Sequence, residues 1–270
     1  MVGLRIVEVG WSTTVQDLGR HGYRDIGVPT AGAVDRTAHD LANRLVGNDT
    51  DAATLETTRG LVIEAQQALV VATSADGARH TLRVGDQLRV NAATNGVWGY
   101  LAVRGGIDVA AVLGSRSQDT LSGLGPPFLE PGVVLPVGAD PATVMATDFG
   151  PPRSRGAVVR LQPGPRGDMF TGGLTTMFET AWTVQQEVSR VGVRLSARHF
   201  GRTEVGESNM MPSEGLVEGA VQITPSGEPI VMLANHPTTG GYPVIAVVEP
   251  RDIAIIAQAQ PGSTLTFRGE

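Results

Sequence analysis

Short runs of alternating apolar and polar residues, each ended by glycine or proline, recur along the chain and constrain its fold most strongly. They include LRIVEV, ALVVAT, HTLRVGDQLRV, GYLAVRGG, AVVRLQPG, PIVML, PVIAVV and TLTFRG. A period of two over a few residues is typical of β-strands. Many short strands bounded by glycines favour closure over an open sheet. We therefore expect a mainly β protein, with small barrels or strongly curved sheets and a few short helices.

Two segments depart from this period and are predicted to be helices. The first spans residues 35–47, where Asp35 suits the N-cap and Gly47 suits the position after the last turn. The second spans residues 251–262, preceded by Pro250 and ended by a Pro-Gly pair. Beyond these segments the sequence predicts little helix.

A stretch rich in Pro, Ser and Arg, residues 140–157, breaks the rhythm of strands and is predicted to be a linker. It separates an N-terminal β lobe, residues 1–145, from a C-terminal β lobe, residues 155–270. Only a turn or two of further helix is expected, near residues 167–179. We find no internal repeat of fixed period.

The composition excludes several kinds of chemistry, because the chain has no cysteine and all its basic residues other than histidine are arginine. Disulfides, thiolate zinc sites and cysteine nucleophiles are impossible without cysteine. Schiff bases, lysine-based P-loops and a biotinyl-lysine carried on this chain are impossible without lysine. Arginine, backbone N–H groups or a metal must therefore hold any bound phosphate or carboxylate.

The net charge of −6 and the absence of a basic block predict no nucleic-acid partner. No apolar segment approaches the roughly 20 residues of a membrane helix, and the N-terminal residues do not resemble a signal peptide. We expect a soluble, cytoplasmic protein without membrane contact. The five histidines show no metal-ligand spacing and no G-x-S-x-G elbow is present. No metal site is therefore predicted, and a serine hydrolase is disfavoured.

The first dense polar cluster, residues 14–35, permits two interpretations. In one, Asp17 pairs with Arg20 within an ornate loop, and Asp35 only caps the following helix. In the other, the segment is an anion-binding loop in which Arg20 or Arg24 supplies the charge. The sequence leaves both open.

The second cluster, residues 103–127, contains Arg104, Arg116 and Ser117 after a predicted strand. Hydroxyl groups beside an arginine suit a carboxylate or a phosphate. Arginine and serine are also common on ordinary protein surfaces. The sequence does not decide between a binding segment and a surface segment.

The third cluster, residues 213–233, ends in the apolar strand IVML, and the fourth cluster, residues 234–243, follows it directly. A strand end followed by a glycine-rich loop is a common way to present side chains to a ligand. The alternative is a simple turn, with His236 on the surface and Tyr242 at its rim. Two glycines and two prolines exclude a strand interior for PTTGGYP.

Six motifs in one order, TVQDLGRHGYRDIGVPTAGAVD, LANRLVGN, YLAVRGGIDV, LGSRSQDT, EGLVEGAVQITPSGEPIVML and PTTGGYP, resemble the allophanate hydrolase subunit 2 family. That family includes the C-type component of the bacterial heteromeric 5-oxoprolinase and is similar to one half of the carboxyltransferase domain of urea carboxylase. The resemblance runs through nearly the whole chain. It implies a cyclophilin-like β-barrel architecture in two lobes.

The resemblance also implies a reaction and partners. The reaction is the ATP-dependent opening of 5-oxo-L-proline to glutamate, with ATP and Mg as cofactors and a small-molecule substrate. The partners are a subunit 1 or B homologue and, for 5-oxoprolinase members, an A-type third subunit. Two alternatives stay open. One is an allophanate hydrolase or urea-carboxylase-like carboxyltransferase component, which needs biotin on another polypeptide. The other is a non-catalytic regulator of a kinase-inhibitor-like subunit. The sequence leaves open whether ATP binds here or mainly to the partner.

When the site residues of the family are matched one by one to this sequence, the resemblance implies that they line a single cleft. Its catalytic residues are Asn235, His236 and Tyr242. Its substrate-binding residues are Gln16, Asp17, Arg20, Arg104, Arg116, Ser117, Gln222, Thr238, Thr239, Gly240 and Gly241. Relatives often have an acidic residue at the position of Asn235 and a basic one at that of Val244. Because an asparagine cannot be a general base, either His236 takes that task or the chain mainly binds. We expect Tyr242→Ala and Gly240→Val to abolish activity of the complex without changing thermal unfolding.

Overall fold

The computed structural model describes residues 3–92, 96–145, 147–151, 156–208 and 211–270. Within these ranges the strands are β1 Gly3–Glu8, β2 Thr13–Gln16, β3 Thr54–Thr57, β4 Leu61–Ala65, β5 Leu69–Thr73, β6 Ala78–Leu82, β7 Gln87–Val90, β8 Gly99–Val103, β9 Val134–Pro136, β10 Val158–Pro163, β11 Trp182–Val188, β12 Gly192–Ser196, β13 Glu214–Gly215, β14 Ala220–Ile223, β15 Pro229–Met232, β16 Thr239–Gly240, β17 Val244–Val248 and β18 Thr264–Gly269. The helices are α1 Arg36–Leu45, α2 Gly173–Glu179, α3 Glu204–Ser208 and α4 Ile253–Ala257, with 3-10 turns at Arg24–Ile26, Gly167–Met169 and Pro250–Asp252.

The chain divides into two compact units. Unit 1 consists of Met1–Gly22 and Thr30–Ser154, and unit 2 of Tyr23–Pro29 and Arg155–Glu270. The sequence placed residues 23–29 in the N-terminal lobe, whereas the structure groups them with unit 2. Residues 146 and 152–155 of the predicted linker lie outside the described residues.

Unit 1 contains two antiparallel sheets, one of four strands in the order β7-β4-β1-β9 and one of five in the order β2-β3-β8-β5-β6. Alternate side chains of each strand point to the same face of its sheet. Apolar side chains from both sheets pack together in one core. The buried residues from the two sheets include Leu4, Ile6, Leu61, Ile63, Val15, Leu55, Leu101 and Val103. Burying a side chain of this size contributes roughly 1.5–3 kcal/mol.

Unit 2 is built around a closed seven-stranded barrel in the order β10-β17-β14-β15-β12-β11-β18. The barrel closes through parallel pairing of β10 with β18, and the other neighbours are antiparallel. Alternation is clear in β10, where Val159 and Leu161 are buried, and in β18, where Leu265 and Phe267 are buried. The prediction of a mainly β protein with a barrel and a few short helices is confirmed.

The predicted first helix is confirmed, together with both of its ends. Asp35 is the N-cap of α1, and its Oδ1 accepts a hydrogen bond of 3.0 Å from the N–H of Ala38. Gly47, with φ of 70°, follows the C-cap residue Val46. The second predicted helix is shorter than expected, because only α4 and the preceding 3-10 turn are helical. The sequence did not predict α3 or the turn at Arg24–Ile26.

No helix within the described ranges has the length and apolar character needed to span a bilayer. The cytoplasmic location and the lack of a nucleic-acid partner stay predictions.

Candidate functional site

The first two polar clusters of the sequence meet in unit 1 at the carboxylate of Asp17. That carboxylate accepts hydrogen bonds from the hydroxyls of Ser115 (2.6 Å) and Ser117 (2.5 Å), and from the backbone N–H groups of Arg116 (2.5 Å) and Gly19 (2.7 Å). The N–H of Asp17 donates in turn to Ser117 Oγ at 2.9 Å. One buried acid therefore fixes the position of residues 115–117.

The protonation state of Asp17 follows from these contacts. Burial raises the pKa of the carboxyl, while the hydrogen bonds from Ser115, Ser117, Arg116 and Gly19 lower it, and the net pKa lies below the usual value. Asp17 is therefore ionised at neutral pH. Because its oxygens already accept four hydrogen bonds, we interpret it as an anchor for the loop.

Arg20 lies in the same buried cluster. Its Nη2 donates to the carbonyl of Ser117, and its Nε lies 3.5 Å from the carbonyl of Val112. Burial lowers the pKa of its guanidinium, and the nearby charges of Asp119 and Asp17 raise it. Within the described part of the chain, the buried Nη1 has no hydrogen-bond partner. Arg20 therefore has one buried N–H group to which no described residue offers an acceptor.

Gln16 completes this cluster at the end of β2. Its Nε2 donates to Thr14 Oγ1 at 2.9 Å and to the carbonyl of Gln118 at 3.1 Å. Its Oε1 is buried and accepts no hydrogen bond from the residues that the structure describes. The structure therefore brings together Gln16, Asp17, Arg20 and Ser117.

The side chains of the other two predicted arginines bind protein groups. Arg104 donates from Nη1 to the carbonyl of Val46 (2.8 Å), from Nη2 to that of Thr143 (2.9 Å) and from Nε to Asp140 Oδ1 (2.9 Å). It therefore caps the C-terminus of α1, where carbonyls lack partners.

Arg116 likewise turns its guanidinium away from the Asp17 cluster. Its Nε donates to the carbonyl of Val109 (2.9 Å) and its Nη2 to Asp108 Oδ1 (2.8 Å). Only its backbone N–H joins Asp17. Both arginines therefore have a structural use in this chain.

In unit 2, residues 233–243 form a loop that connects β15 to β17, here called the ligand loop after the binding role proposed for it below. Strand β14 lies between these two in the barrel, so the loop passes across the end of β14. Gln222 of β14 donates from Nε2 to the carbonyl of Tyr242 at 2.8 Å. Tyr242 is 44% exposed. Sheet order thus brings Gln222 and Tyr242 together.

The ligand loop is more ordered than a simple turn. Its strand β16 pairs with β13 in a two-stranded ribbon, in which Thr239 is opposite Gly215. The N–H of Leu216 extends this pairing to the carbonyl of Thr238 at 2.9 Å. Val244, a departure from the family pattern, packs with Leu216 in a small apolar cluster.

The two glycines of the ligand loop have different environments. A Cβ on Gly240 would lie 2.7 Å from Leu216 Cδ1 and 2.9 Å from Gln222 Nε2. A Cβ on Gly241 would meet nothing within 4 Å. Protein packing therefore accounts for Gly240, and the unchanged thermal unfolding expected for Gly240→Val does not fit this packing. Beside Gly241, in contrast, the space that a side chain would occupy is empty.

His236 is buried in this loop with a defined tautomer. Its Nδ1 lies 2.6 Å from the carbonyl of Pro237, so Nδ1 carries the hydrogen and Nε2 presents its lone pair. Nε2 lies 3.5 Å from Nη1 of Arg24. Burial lowers the pKa of His236, the Pro237 carbonyl raises it and Arg24 lowers it, with a net pKa below the usual value. His236 is therefore neutral at neutral pH, as a general base must be.

Its neighbour Asn235 is fully buried, and its N–H donates to the carbonyl of Arg190 at 3.0 Å. Arg24 was not among the predicted site residues, although the sequence offered it as one possible charge for an anion. The predicted single cleft, which would join residues of both units, stays a prediction. In the part of the chain that the structure describes, no group of three or more His, Asp or Glu side chains could hold a metal ion.

Comparison with known proteins agrees with this architecture. The family described as carboxyltransferase domain, subdomain A and B, matches residues 26–269, and the chain belongs to this family. It is 35% identical over 98% of its length to the C-type component of 5-oxoprolinase from Escherichia coli (strain K12), covering 90% of that protein. It is 30% identical over 97% of its length to the same-named protein of Haemophilus influenzae, covering 89%. Urea amidolyase of Saccharomyces cerevisiae is 31% identical over 98% of this chain, which covers 16% of that protein.

Solved structures have the same fold. The structure of TTHA0988 matches 100% of this chain with a TM-score of 0.88 and 33% identity. This chain spans 56% of that one, about half its length. Urea carboxylase of Kluyveromyces lactis matches 99% of the chain with a TM-score of 0.86 and 28% identity, and 27% of its own chain is covered.

The buried histidines make stability depend on pH. Burial lowers the pKa of His39, as it does that of His236. Because both folded-state values lie below the unfolded value of about 6.5, their contribution is complete above that pH and is lost as pH falls through the folded-state values. We expect the melting temperature to fall between pH 7.5 and 5.5. In the double variant His39→Gln/His236→Gln the slope should be shallower, and an unchanged slope would contradict this assignment.

Alanine substitutions at the two glycines of the ligand loop test whether protein packing requires a glycine at each position. Gly240→Ala should lower the free energy of unfolding by about 1–3 kcal/mol, because its Cβ must displace Leu216 or Gln222. Gly241→Ala should leave it unchanged or raise it by up to about 1 kcal/mol. Urea unfolding measures both, and equal destabilisation by the two variants would exclude this interpretation.

Proposed function

We propose that this chain is the C-type component of a heteromeric, ATP-dependent 5-oxoprolinase that opens 5-oxo-L-proline to glutamate. The observation that carries the proposal is the match to the C-type component of the Escherichia coli 5-oxoprolinase, which covers 98% of this chain and 90% of that protein. The match to urea amidolyase covers only 16% of the larger protein. Agreement in both length and sequence therefore favours the 5-oxoprolinase component.

The chemistry of the reaction agrees with the residues available. A lactam carbonyl is a poor electrophile, and phosphorylation of its oxygen by ATP would create a leaving group. Cations and N–H donors then stabilise the charge on the transferring phosphoryl group. Because the chain lacks lysine, this subunit would supply arginine and backbone donors. In our proposal, ATP and its Mg are bound mainly by residues of the partner subunit.

Within the ligand loop we assign the roles as follows. His236 is the general base, because its ring is neutral and the contact of Arg24 Nη1 with its Nε2 lone pair is long, at 3.5 Å, so that a substrate can displace it. Asn235 cannot accept a proton at neutral pH and has a binding role. Tyr242, half-exposed and held through its carbonyl by Gln222, covers the substrate. Thr238 and Thr239 supply hydroxyls, and Gly241 supplies an open backbone.

The longer relatives support a partner subunit. This chain spans 56% of TTHA0988, whose chain therefore joins the same fold to a large further segment. We propose that a B-type subunit, as a separate chain or fused to this one, supplies the corresponding part of the assembly, and that an A-type subunit is the third member of the complex.

A carboxyltransferase component is the second candidate, favoured by the family to which the chain belongs and by its similarity to urea amidolyase. This function requires biotin attached to another polypeptide, since no lysine is available here. ATP consumption that depends on urea and bicarbonate, with a biotinylated partner, would identify it.

Phosphate release from ATP tests the proposal. With this chain and both partner subunits, release should depend on 5-oxoproline, and omission of any subunit should abolish it. His236→Gln should lower kcat about 100- to 10,000-fold, because the general base is lost. Arg268→Gln, at an exposed position of β18, should have no effect. Full turnover without this chain, or by His236→Gln, would overturn the assignment.

A further inference from the structure

Arg24 reaches the ligand loop from a distant part of the sequence. It lies in Tyr23–Pro29, the segment of the N-terminal half that belongs to unit 2. Its Nη2 donates to the carbonyl of Leu216, whose N–H donates to the carbonyl of Thr238 in the loop. Its Nη1 lies 3.5 Å from Nε2 of His236. These contacts hold the guanidinium beside the base of the proposed reaction.

Arg24 differs from four other arginines of unit 2 in having no carboxylate counter-ion among the described residues. Four other arginines of unit 2, Arg160, Arg166, Arg194 and Arg251, lie within ion-pair distance of a carboxylate. Among the residues that the structure describes, Arg24 has no such partner. It is partly buried, so water only incompletely replaces a counter-ion. A partly buried cation beside a neutral histidine favours a bound anion.

We propose that Arg24 and His236 form an oxyanion site on the ligand loop, which binds a carboxylate or phosphate group of the substrate. Arg24 supplies the charge and a donor from its planar guanidinium. His236 supplies a second donor when Nε2 takes up a proton. A bound anion offsets the repulsion between Arg24 and a protonated imidazole. Arg24 is the charged group that faces His236 in the described part of the chain, so a bound anion stabilises the imidazolium that forms when His236, neutral at the start of the reaction, accepts a proton.

The inference rests on the proposed function only in its choice of 5-oxoproline as one probe. Calorimetric titration of this chain, alone and in the assembled complex, in buffers of different ionisation enthalpy near pH 7, gives both affinity and proton uptake. The probes are sodium 5-oxoproline, sodium phosphate and the neutral carboxamide of 5-oxoproline, which lacks the carboxylate. At least one anion should bind with proton uptake, and the carboxamide should bind more weakly than 5-oxoproline.

Variants separate the site from general electrostatics. Arg24→Gln should weaken anion binding at least about tenfold, and Arg24→Lys, which retains the charge, should weaken it less. His236→Gln should abolish proton uptake. Arg268→Gln removes the same charge from an exposed position of unit 2 and should change neither quantity. Melting temperatures verify that each variant is folded, and Arg24→Lys provides the comparison if Arg24→Gln unfolds.

The outcomes distinguish the inference from the proposed function. Arg24-dependent binding of phosphate without binding of 5-oxoproline would support the oxyanion site and contradict the proposed substrate. Binding of 5-oxoproline that is unchanged in Arg24→Gln would overturn the oxyanion site and leave the proposed function intact. Failure of both anions to bind to the wild-type complex would also overturn the site.

Discussion

Closure of the unit 2 barrel through the parallel pairing of β10 and β18 is the constraint on which the candidate site depends. A closed barrel leaves no free edges and fixes the neighbours of every strand. Because β14 lies between β15 and β17, the connection between the latter two must cross its end. The carbonyl of Tyr242 thereby meets the amide of Gln222. The ribbon of β13 and β16 then orders the loop that contains His236.

The buried ionisable groups of the two units differ in how far hydrogen bonds and ion pairs satisfy them. In unit 1, Asp17 is saturated by four hydrogen bonds, so it orders a loop and has little capacity left for a ligand. In unit 2, the Nε2 acceptor of His236 has a long contact of 3.5 Å with Arg24 Nη1, and Arg24 has no carboxylate within ion-pair distance among the described residues. This difference favours the ligand loop as the place of chemistry.

Local signals in the sequence were sufficient for much of the fold. The period of two identified strands such as β10 and β18, and the Asp35 cap and Gly47 stop located α1, since these features depend on neighbouring residues. Gly240 was assigned to ligand access, but the atoms that exclude a side chain there belong to Leu216 and Gln222. The separation of 212 residues between Arg24 and His236 explains why no local pattern could pair them. Arg104 was assigned to the substrate from the family resemblance, and its bond to the carbonyl of Val46, 58 residues away, could not be inferred from a local sequence pattern.

Amide hydrogen exchange of the assembled complex, with and without 5-oxoproline and ATP, tests most directly whether the ligand loop binds substrate. The loop and the Glu214–Gly215 strand that pairs with it should exchange more slowly when the ligands are present, because a bound ligand stabilises the ribbon and covers the loop. Helix α1, which is distant in sequence and belongs to unit 1, serves as the internal reference. Slower exchange confined to other segments, with residues 236–242 unchanged, would contradict the account.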